Sequence, residues 1–244
     1  MVRRVAAEAL DTLHPDDPAA LGSRRDLQRL HRAMGTRSIL RHGLQGLMAA
    51  PREAGTLRVL ELGAGDGTLL LGLARALAPA WPNVELTLLD RHALVSDQTM
   101  SDFAELGWTA MPLTVDVVDW AAACSEPLPV DATPRWHLIV CNLFLHHFEG
   151  PQLDALLAAV AARGECFFAC EPRRAWLALA GSHLVGVLGA NAVTREDAVL
   201  SVHAGFRGRE LSARWPGGGA GWQLREYAAG LFSHCFRAAP PQAA

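Results

Sequence analysis

Lysine is absent from this chain of 244 residues; all 22 of its basic side chains are arginines. The absence excludes any mechanism that needs a lysine of the chain itself: a Schiff base, a pyridoxal anchor or the lysine of a phosphate-binding loop. An arginine-favouring, GC-rich codon usage accounts for the composition, and the exclusion holds whatever its cause. Basic excess is lacking too. The formal net charge is −3 and the arginines are scattered rather than striped, so a nucleic-acid partner is not expected. Cysteine pairs at metal-ligand spacing are missing. The five cysteines fall at 124, 141, 166, 170 and 235, none as CxxC, and Cys141 and Cys166 sit in apolar runs. They read as buried free thiols in a reducing compartment, with no metal site. Long hydrophobic runs are also lacking. The longest, Ala175 to Ala190, is shorter than a membrane span and contains Ser182 and His183. In MVRRVAAEALDTLHPDD, residues 1–17, aspartates arrive before any long apolar stretch, so no signal peptide is expected. The expectation is a soluble cytoplasmic protein without a membrane span.

What is present suits a large core. Hydrophobic residues make up 50% and charged residues 19% of the chain, which fits one generous domain or a domain with a cap. Residues 1–50 read as a helical cap segment. Leu27, Leu30, Met34, Ile39, Leu40, Leu44 and Leu47 recur at spacings of one to five as an apolar stripe, with Gly35 placed to break it into two helices. PREAGT, residues 51–56, reads as a linker.

From Arg58 the pattern alternates between strand and helix: LRVLELG, TLLLGLARALAPA, VELTLLD, DQTMSDFAELG, a strand within AMPLTVDVVDW, HLIVCNLF, PQLDALLAAVAARG and ECFFACEP. Near-continuous apolar strands alternating with helices predict an α/β fold whose parallel sheet is covered on both faces. After Pro172 the alternation is interrupted. AWLALAGSHLVGVLGANAV reads as an apolar helix, Thr194 to Asp197 as a helix start, FRGRELSARW as a further helix and PGGGAG as a loop. WQLREYAAGLFSHCFRA predicts two strands around Ala229-Gly230, a hairpin at the end of the sheet, and PQAA a frayed tail.

The informative stretch is ELGAGDG, Glu61 to Gly67. A strand that ends in glycines and opens a helix brings the backbone close to a ligand. Dinucleotide folds use G-x-G-x-x-G at this place. Here the spacing is G-x-G-x-G, position 68 is Thr, and Asp66 stands where a phosphate would approach. A carboxylate there favours a neutral or cationic ligand. Asp90, closing LTLLD, can accept both hydroxyls of a ribose. TVDVVDW places Asp116 and Asp119 near an adenine.

These residues, in this order, resemble the class I S-adenosylmethionine-dependent methyltransferases, from Arg58 to about Pro172 and less closely beyond. The resemblance implies a Rossmann-like seven-stranded, mostly parallel sheet with a C-terminal antiparallel hairpin plus the helical cap. Its S-adenosylmethionine-binding domain would span residues 51–244, with a helical insertion at 175–214. It implies that Glu61 reaches the methionine ammonium and that Gly63, Gly65 and Gly67 line the methionine and ribose. Asp90 would hold the ribose hydroxyls, Asp116 would meet the adenine amino group, Val117 would lie against the ring, and Asn142 would sit beside the methionine moiety.

Methyl transfer needs alignment and exclusion of water more than acid–base machinery, although a hydroxyl acceptor profits from a base. The candidates are His146 and His147 in FLHHFEG, just past the fourth strand. Adjacent residues on a strand or helix point different ways, so at most one is expected to face the substrate. Arg173 and Arg174 follow the fifth strand as holders of an acceptor carboxylate or phenolate or as a solvated pair. His183 and Asn191 lie in the apolar insertion. The cap and the insertion together suit a lid over a hydrophobic pocket and hence a small aromatic or polyketide-like acceptor, with O-methylation favoured and secondary metabolism as the setting. C-methylation of a quinone or lipid precursor, or a catalytically silent partner subunit with the same fold, stand as alternatives. A homodimer is compatible with either. A nucleic-acid methyltransferase would carry an Asn-Pro-Pro-aromatic tetrad where Asn142-Leu143-Phe144-Leu145 stands.

Overall fold

The computed structural model describes residues 1–45, 47, 55–81, 83–124 and 135–241. The expected linker, at residues 51–54, and the expected tail, from Gln242, lie outside the described residues.

Seven strands form one sheet: β1 (Leu57–Leu62), β2 (Val84–Asp90), β3 (Trp108–Thr114), β4 (Trp136–Asn142), β5 (Gly164–Pro172), β6 (Gln223–Ala229) and β7 (Ser233–Ala239). Their order is β3-β2-β1-β4-β5-β7-β6. The first five pair in parallel, and β7 runs antiparallel between β5 and β6. The crossovers are helical: α4 (Thr68–Leu77), α5 (Asp97–Glu105), α6 (Val117–Cys124) and α7 (Gly150–Arg163). Strand order reverses at β1, so the carboxyl ends of β1 and β4 open a crevice of the kind in which doubly wound sheets bind ligands.

Neighbouring residues of each strand feed opposite faces, and the core is therefore two layers. Val59, Leu138 and Phe168 pack with Leu73 and Trp108 on one side. Leu60, Ile139 and Phe167 pack with Leu157, Trp215 and Phe236 on the other. Each fully buried Phe contributes about 1.5–3 kcal/mol through burial.

Ahead of β1 come α1 (Ala9–Thr12), α2 (Pro18–Met34) and α3 (Thr36–Gln45). Gly35, at φ +67°, breaks the last two as its place in the stripe predicted. The stripe then divides. Leu40 and Leu44 are buried in the sheet-facing core, and Gly43 admits the Phe168 ring so closely that a Cβ there would lie 2.2 Å from it. Leu27, Leu30 and Met34 instead face a cavity.

The insertion departs from its reading in three places. The apolar stretch is not one helix: α8 (Trp176–His183) gives way to a 3₁₀ turn at Val185–Leu188, and Gly189, at φ +80°, ends it. The next helix, α9 (Ala192–Ala204), starts just before the expected point, because the Asn191 side chain accepts from the Thr194 N–H at 2.8 Å. FRGRELSARW is not a helix. Phe206 bridges Arg173 as a short parallel pair, Gly208 is left-handed at φ +63°, and the Glu226 carboxylate takes the N–H groups of Leu211 and Ser212 at 3.4 and 2.6 Å. Tertiary partners claim backbone groups that a helix would use. Conversely, VVDWAAAC forms α6, a helix the sequence reading left out.

Candidate functional site

Gly63, Gly65 and Gly67 all adopt positive φ, at 69°, 57° and 73°. A Cβ on Gly63 would meet the Phe144 ring at 2.3 Å, whereas nothing lies within 4 Å of the corresponding point on Gly65. The turn is thus braced on one side and open on the other. Asp90 holds it from the next strand: Oδ2 accepts from Gly65 N–H at 2.8 Å and Oδ1 from His92 N–H at 2.9 Å. Each oxygen keeps a lone pair for a further donor. Asp66 has partners within the chain. It caps α4, accepting from the Thr68 N–H at 3.0 Å and hydroxyl at 2.7 Å, and takes the Gln28 amide of α2 at 2.9 Å.

Two polar atoms at this end lack partners. Glu61 Oε2 and Asn142 Oδ1 are buried and accept no hydrogen bond. Burial raises the Glu61 carboxyl well above its usual range, and the nearby Asp66 and Asp90 push it the same way. An unpaired buried acceptor costs about 1–3 kcal/mol, so two of them at the carboxyl ends of the neighbouring strands β1 and β4 call for a donor, preferably a cationic one. The donor set, the open Gly65 surface and the Asp90 clasp fit a molecule with an ammonium head and a diol. Asp116 is exposed and accepts from Val118 N–H at 2.8 Å as α6 begins, with Val117 buried beside it. Asp119 lies on the exposed side of α6.

Past Asn142 the chain turns sharply. Leu143 holds φ +50°, the sole non-glycine residue with positive φ among the described residues, and Leu145–His147 form a 3₁₀ turn. Glu171, fully buried on β5, organises that turn. It accepts from the N–H groups of Phe144, Leu145 and His146, at 3.1, 3.0 and 3.3 Å, and from His146 Nδ1 at 2.9 Å. The other ring nitrogen of His146 meets Glu8 Oε1 at 3.3 Å. Burial would lower the pKa of His146, but its hydrogen bonds to Glu171 and Glu8 overcome that and hold it at about 9. His147 Nδ1 pairs with Asp11 at 3.0 Å. The expectation that the two histidines point apart is corrected: their ring centroids lie 4.2 Å apart, because the tight 3₁₀ turn and the two carboxylates of the α1 segment draw both rings to one side. With Glu8 they form a cluster whose ligand atoms lie within 4.8 Å of one another, a grouping that cysteine spacing could not reveal.

A cavity of about 430 Å³ adjoins Leu143. Its walls come from α2 (Leu27, Leu30, Met34), α8 and the following 3₁₀ turn (Ala178, Val185, Leu188), α9 and the β6–β7 turn (Phe232). The cap and the insertion therefore do enclose an apolar pocket. Arg173, Arg174 and His183 are not on its wall. Arg174 is buried and pairs with Glu210, so the carboxylate it holds is the chain's own. His183 is exposed, and Asn191 is a helix cap. Glu8, Asp11 and Glu171 escaped the sequence reading. Glu171 had a signal, an acid directly after the apolar run CFFAC. Glu8 and Asp11 had none, since their partners are remote in sequence.

No family model and no curated protein matches the chain. Among solved structures, the fold is similar to that of the plantazolicin methyltransferase BamL, in complex with a triazolic desmethylPZN analog and SAH: 12% identity, TM-score 0.59, covering 94% of this chain and 92% of that one. It is similar to an O-methyltransferase family protein from Burkholderia thailandensis at 14% identity and TM-score 0.57, covering 94% of this chain and 64% of that one. The magnesium protoporphyrin IX methyltransferase ChlM from Synechocystis PCC 6803, with bound SAM, follows at 14% identity and TM-score 0.50, covering 96% and 88%. These likenesses establish the fold. Among the described residues, no helix is long and apolar enough to cross a membrane.

Proposed function

We propose that this protein is a methyltransferase that uses S-adenosylmethionine to methylate a small, apolar, aromatic or polyketide-like acceptor, with oxygen as the favoured target. The observation that carries the reading is the pair of stranded acceptors, Glu61 Oε2 and Asn142 Oδ1, beside an open glycine turn. The methyltransferase folds of the similar structures support it.

On this reading Glu61 and Asn142 receive the ammonium end of the cofactor, and Gly65 lets its ribose approach the backbone. Asp90 takes the ribose hydroxyls with the lone pairs that Gly65 and His92 leave over. Asp116 and Val117, at the start of α6, meet the adenine edge and face. When bound, the cofactor supplies an already activated methyl group on a sulfonium. The remaining duties belong to the chain. Leu143 and the turn held by Glu171 fix the floor between cofactor and cavity, and α2, α8 and α9 exclude water from it.

The test is calorimetric titration with S-adenosylhomocysteine beside NADH, on the wild type and Asp90→Ala. Micromolar binding of the homocysteine product, lost in the variant and absent for NADH, is expected. Binding of neither ligand would reduce the glycine turn to a structural feature and remove the basis of the reading.

A further inference from the structure

Neither histidine is placed as a free base. His146 is gripped at both nitrogens by carboxylates and His147 is paired with Asp11. Yet a hydroxyl acceptor must lose a proton when it is methylated, and the cavity wall supplies one destination. Among the described residues its charged side chains are Glu8 and Asp197, both acidic. Asp197 is committed elsewhere: its two oxygens cap α1, accepting from Ala9 N–H at 2.8 Å and Leu10 N–H at 3.0 Å. Glu8 differs. Its hydrogen bonds from His146 and from the Ser201 hydroxyl both fall on Oε1, which leaves Oε2 to meet a ligand.

We propose that Glu8 is the group that faces the acceptor and takes up its proton, and that it restricts the cavity to acceptors with an apolar body and an uncharged or cationic donor head. The proposal rests on the methyl-transfer reading and extends it to the substrate's chemistry. His146 is a positioning residue. Held by Glu171 at one nitrogen, it fixes Glu8 at the other in a carboxylate–imidazole–carboxylate chain across three segments far apart in sequence. As the acceptor oxygen bonds to the methyl carbon, its O–H bond breaks and the proton passes to Glu8 Oε2. The old carbon–sulfur bond breaks with its electron pair left on sulfur, giving a neutral thioether. Charge balances, since the sulfonium and the carboxylate are both neutralised. An acceptor with a carboxylate head would meet Glu8 with no cationic side chain on the described wall; the cation touching Glu8, His146, is shared with Glu171, so the three together stay net negative in a poorly solvated site.

The experiment uses three probes of one ring system: 1-naphthol, 1-naphthylmethylamine and 1-naphthoate. Each is titrated calorimetrically into the full chain, with and without saturating S-adenosylhomocysteine. Naphthol and the amine are expected to bind at least about tenfold more tightly than naphthoate. In Glu8→Gln the gap is expected to shrink below about threefold, with S-adenosylhomocysteine affinity within about twofold of wild type. An unchanged gap in Glu8→Gln, or equal binding of all three probes to the wild type, overturns the proposal. So does failure of every probe on a protein that binds S-adenosylhomocysteine. If Glu8→Gln unfolds, Glu8→Asp keeps the charge on a shorter arm. It should still reject naphthoate, and methylation of 1-naphthol should fall about tenfold at unchanged KM; acceptance of naphthoate by Glu8→Asp counts against the proposal. Probe selectivity without S-adenosylhomocysteine binding would sink the methyl-transfer reading while leaving Glu8's selection of the head group standing.

Discussion

On one side of Leu143, at the ends of β1 and β4, two buried acceptors have no partner. On the other side, in the cavity under α2, α8 and α9, both charged residues of the wall already receive hydrogen bonds from the chain. The first region is incomplete as a folded structure and specific in what it demands: a cation and hydrogen-bond donors in fixed positions. The second leaves one oxygen, Glu8 Oε2, uncommitted and otherwise demands only shape and apolarity. A fold can therefore keep one half of its crevice constant in chemistry while the other varies in occupant, because unpaired polar atoms dictate a ligand and apolar walls merely admit one.

The comparison breaks at its hinge first. Glu171 serves both halves by holding the 3₁₀ turn between them. Glu171→Ala strands three N–H groups and the His146 ring, and is expected to cost about 3–5 kcal/mol, enough to leave much of the protein unfolded. Urea unfolding followed by circular dichroism reads the loss; a cost below about 1 kcal/mol would show that the turn holds itself.

Next, Glu61→Gln should sharpen the contrast by moving two quantities in opposite directions. S-adenosylhomocysteine affinity should fall by about tenfold to a hundredfold, while the unliganded protein gains about 1 kcal/mol, because the amide is cheaper to bury than the carboxylate. Calorimetry and thermal unfolding of the same sample report both. A stability loss would mean that Glu61 is satisfied without a ligand.

Gly63→Ala is expected to cost about 1–3 kcal/mol and to displace Phe144, given a left-handed φ and a 2.3 Å contact. Its apolar counterpart, Leu30→Ala in the cavity wall, should leave S-adenosylhomocysteine binding within about twofold while weakening 1-naphthol. Equal damage to both ligands from either variant would erase the distinction between the halves.

A pH dependence probes the link between the two halves. The folded-state pKa of His146, about 9, lies above its ordinary 6.5. Its stabilising contribution is therefore complete below pH 6.5 and is lost as pH rises through about 9. Urea midpoints from pH 6 to about 10 should decline in the wild type more than in His146→Gln. Parallel curves would remove the cationic link between Glu171 and Glu8.

The legibility of these regions in the sequence followed the range of the interactions that build them. The sheet and its hairpin were readable because alternation and apolar runs are local. So was the glycine turn, since three positive φ values so close together favour glycine. Glu61, Asp90 and Asn142 lie at strand ends, which the pattern locates. By contrast, 206–215 carries helix formers, yet its backbone is claimed by Pro172, Arg174 and Glu226, and no window of the sequence contains those partners. VVDWAAAC was absorbed into the preceding strand because its valines read as strand. The histidines were found but misjudged in orientation. Both rings answer to carboxylates at Glu8 and Asp11, and a pairing 138 positions apart leaves no trace in spacing.

The strap that carries Glu8 has a consequence for how the protein is made. Arg3 donates to the Ala204 carbonyl across 201 positions and to the carbonyls of His146 and Phe148, and Asp197 caps α1 across 188. During synthesis the first of these segments waits in the open until the last emerges. Contacts of such separation bear the largest loop-closure entropy and form late. Strands β1 to β5 and the glycine turn all precede α9 in the chain, so they are free to pair before the cavity wall is available. The wall bearing Glu8 joins the two ends of this order, since its partners at His146, Asp197 and Ser201 all emerge long after it.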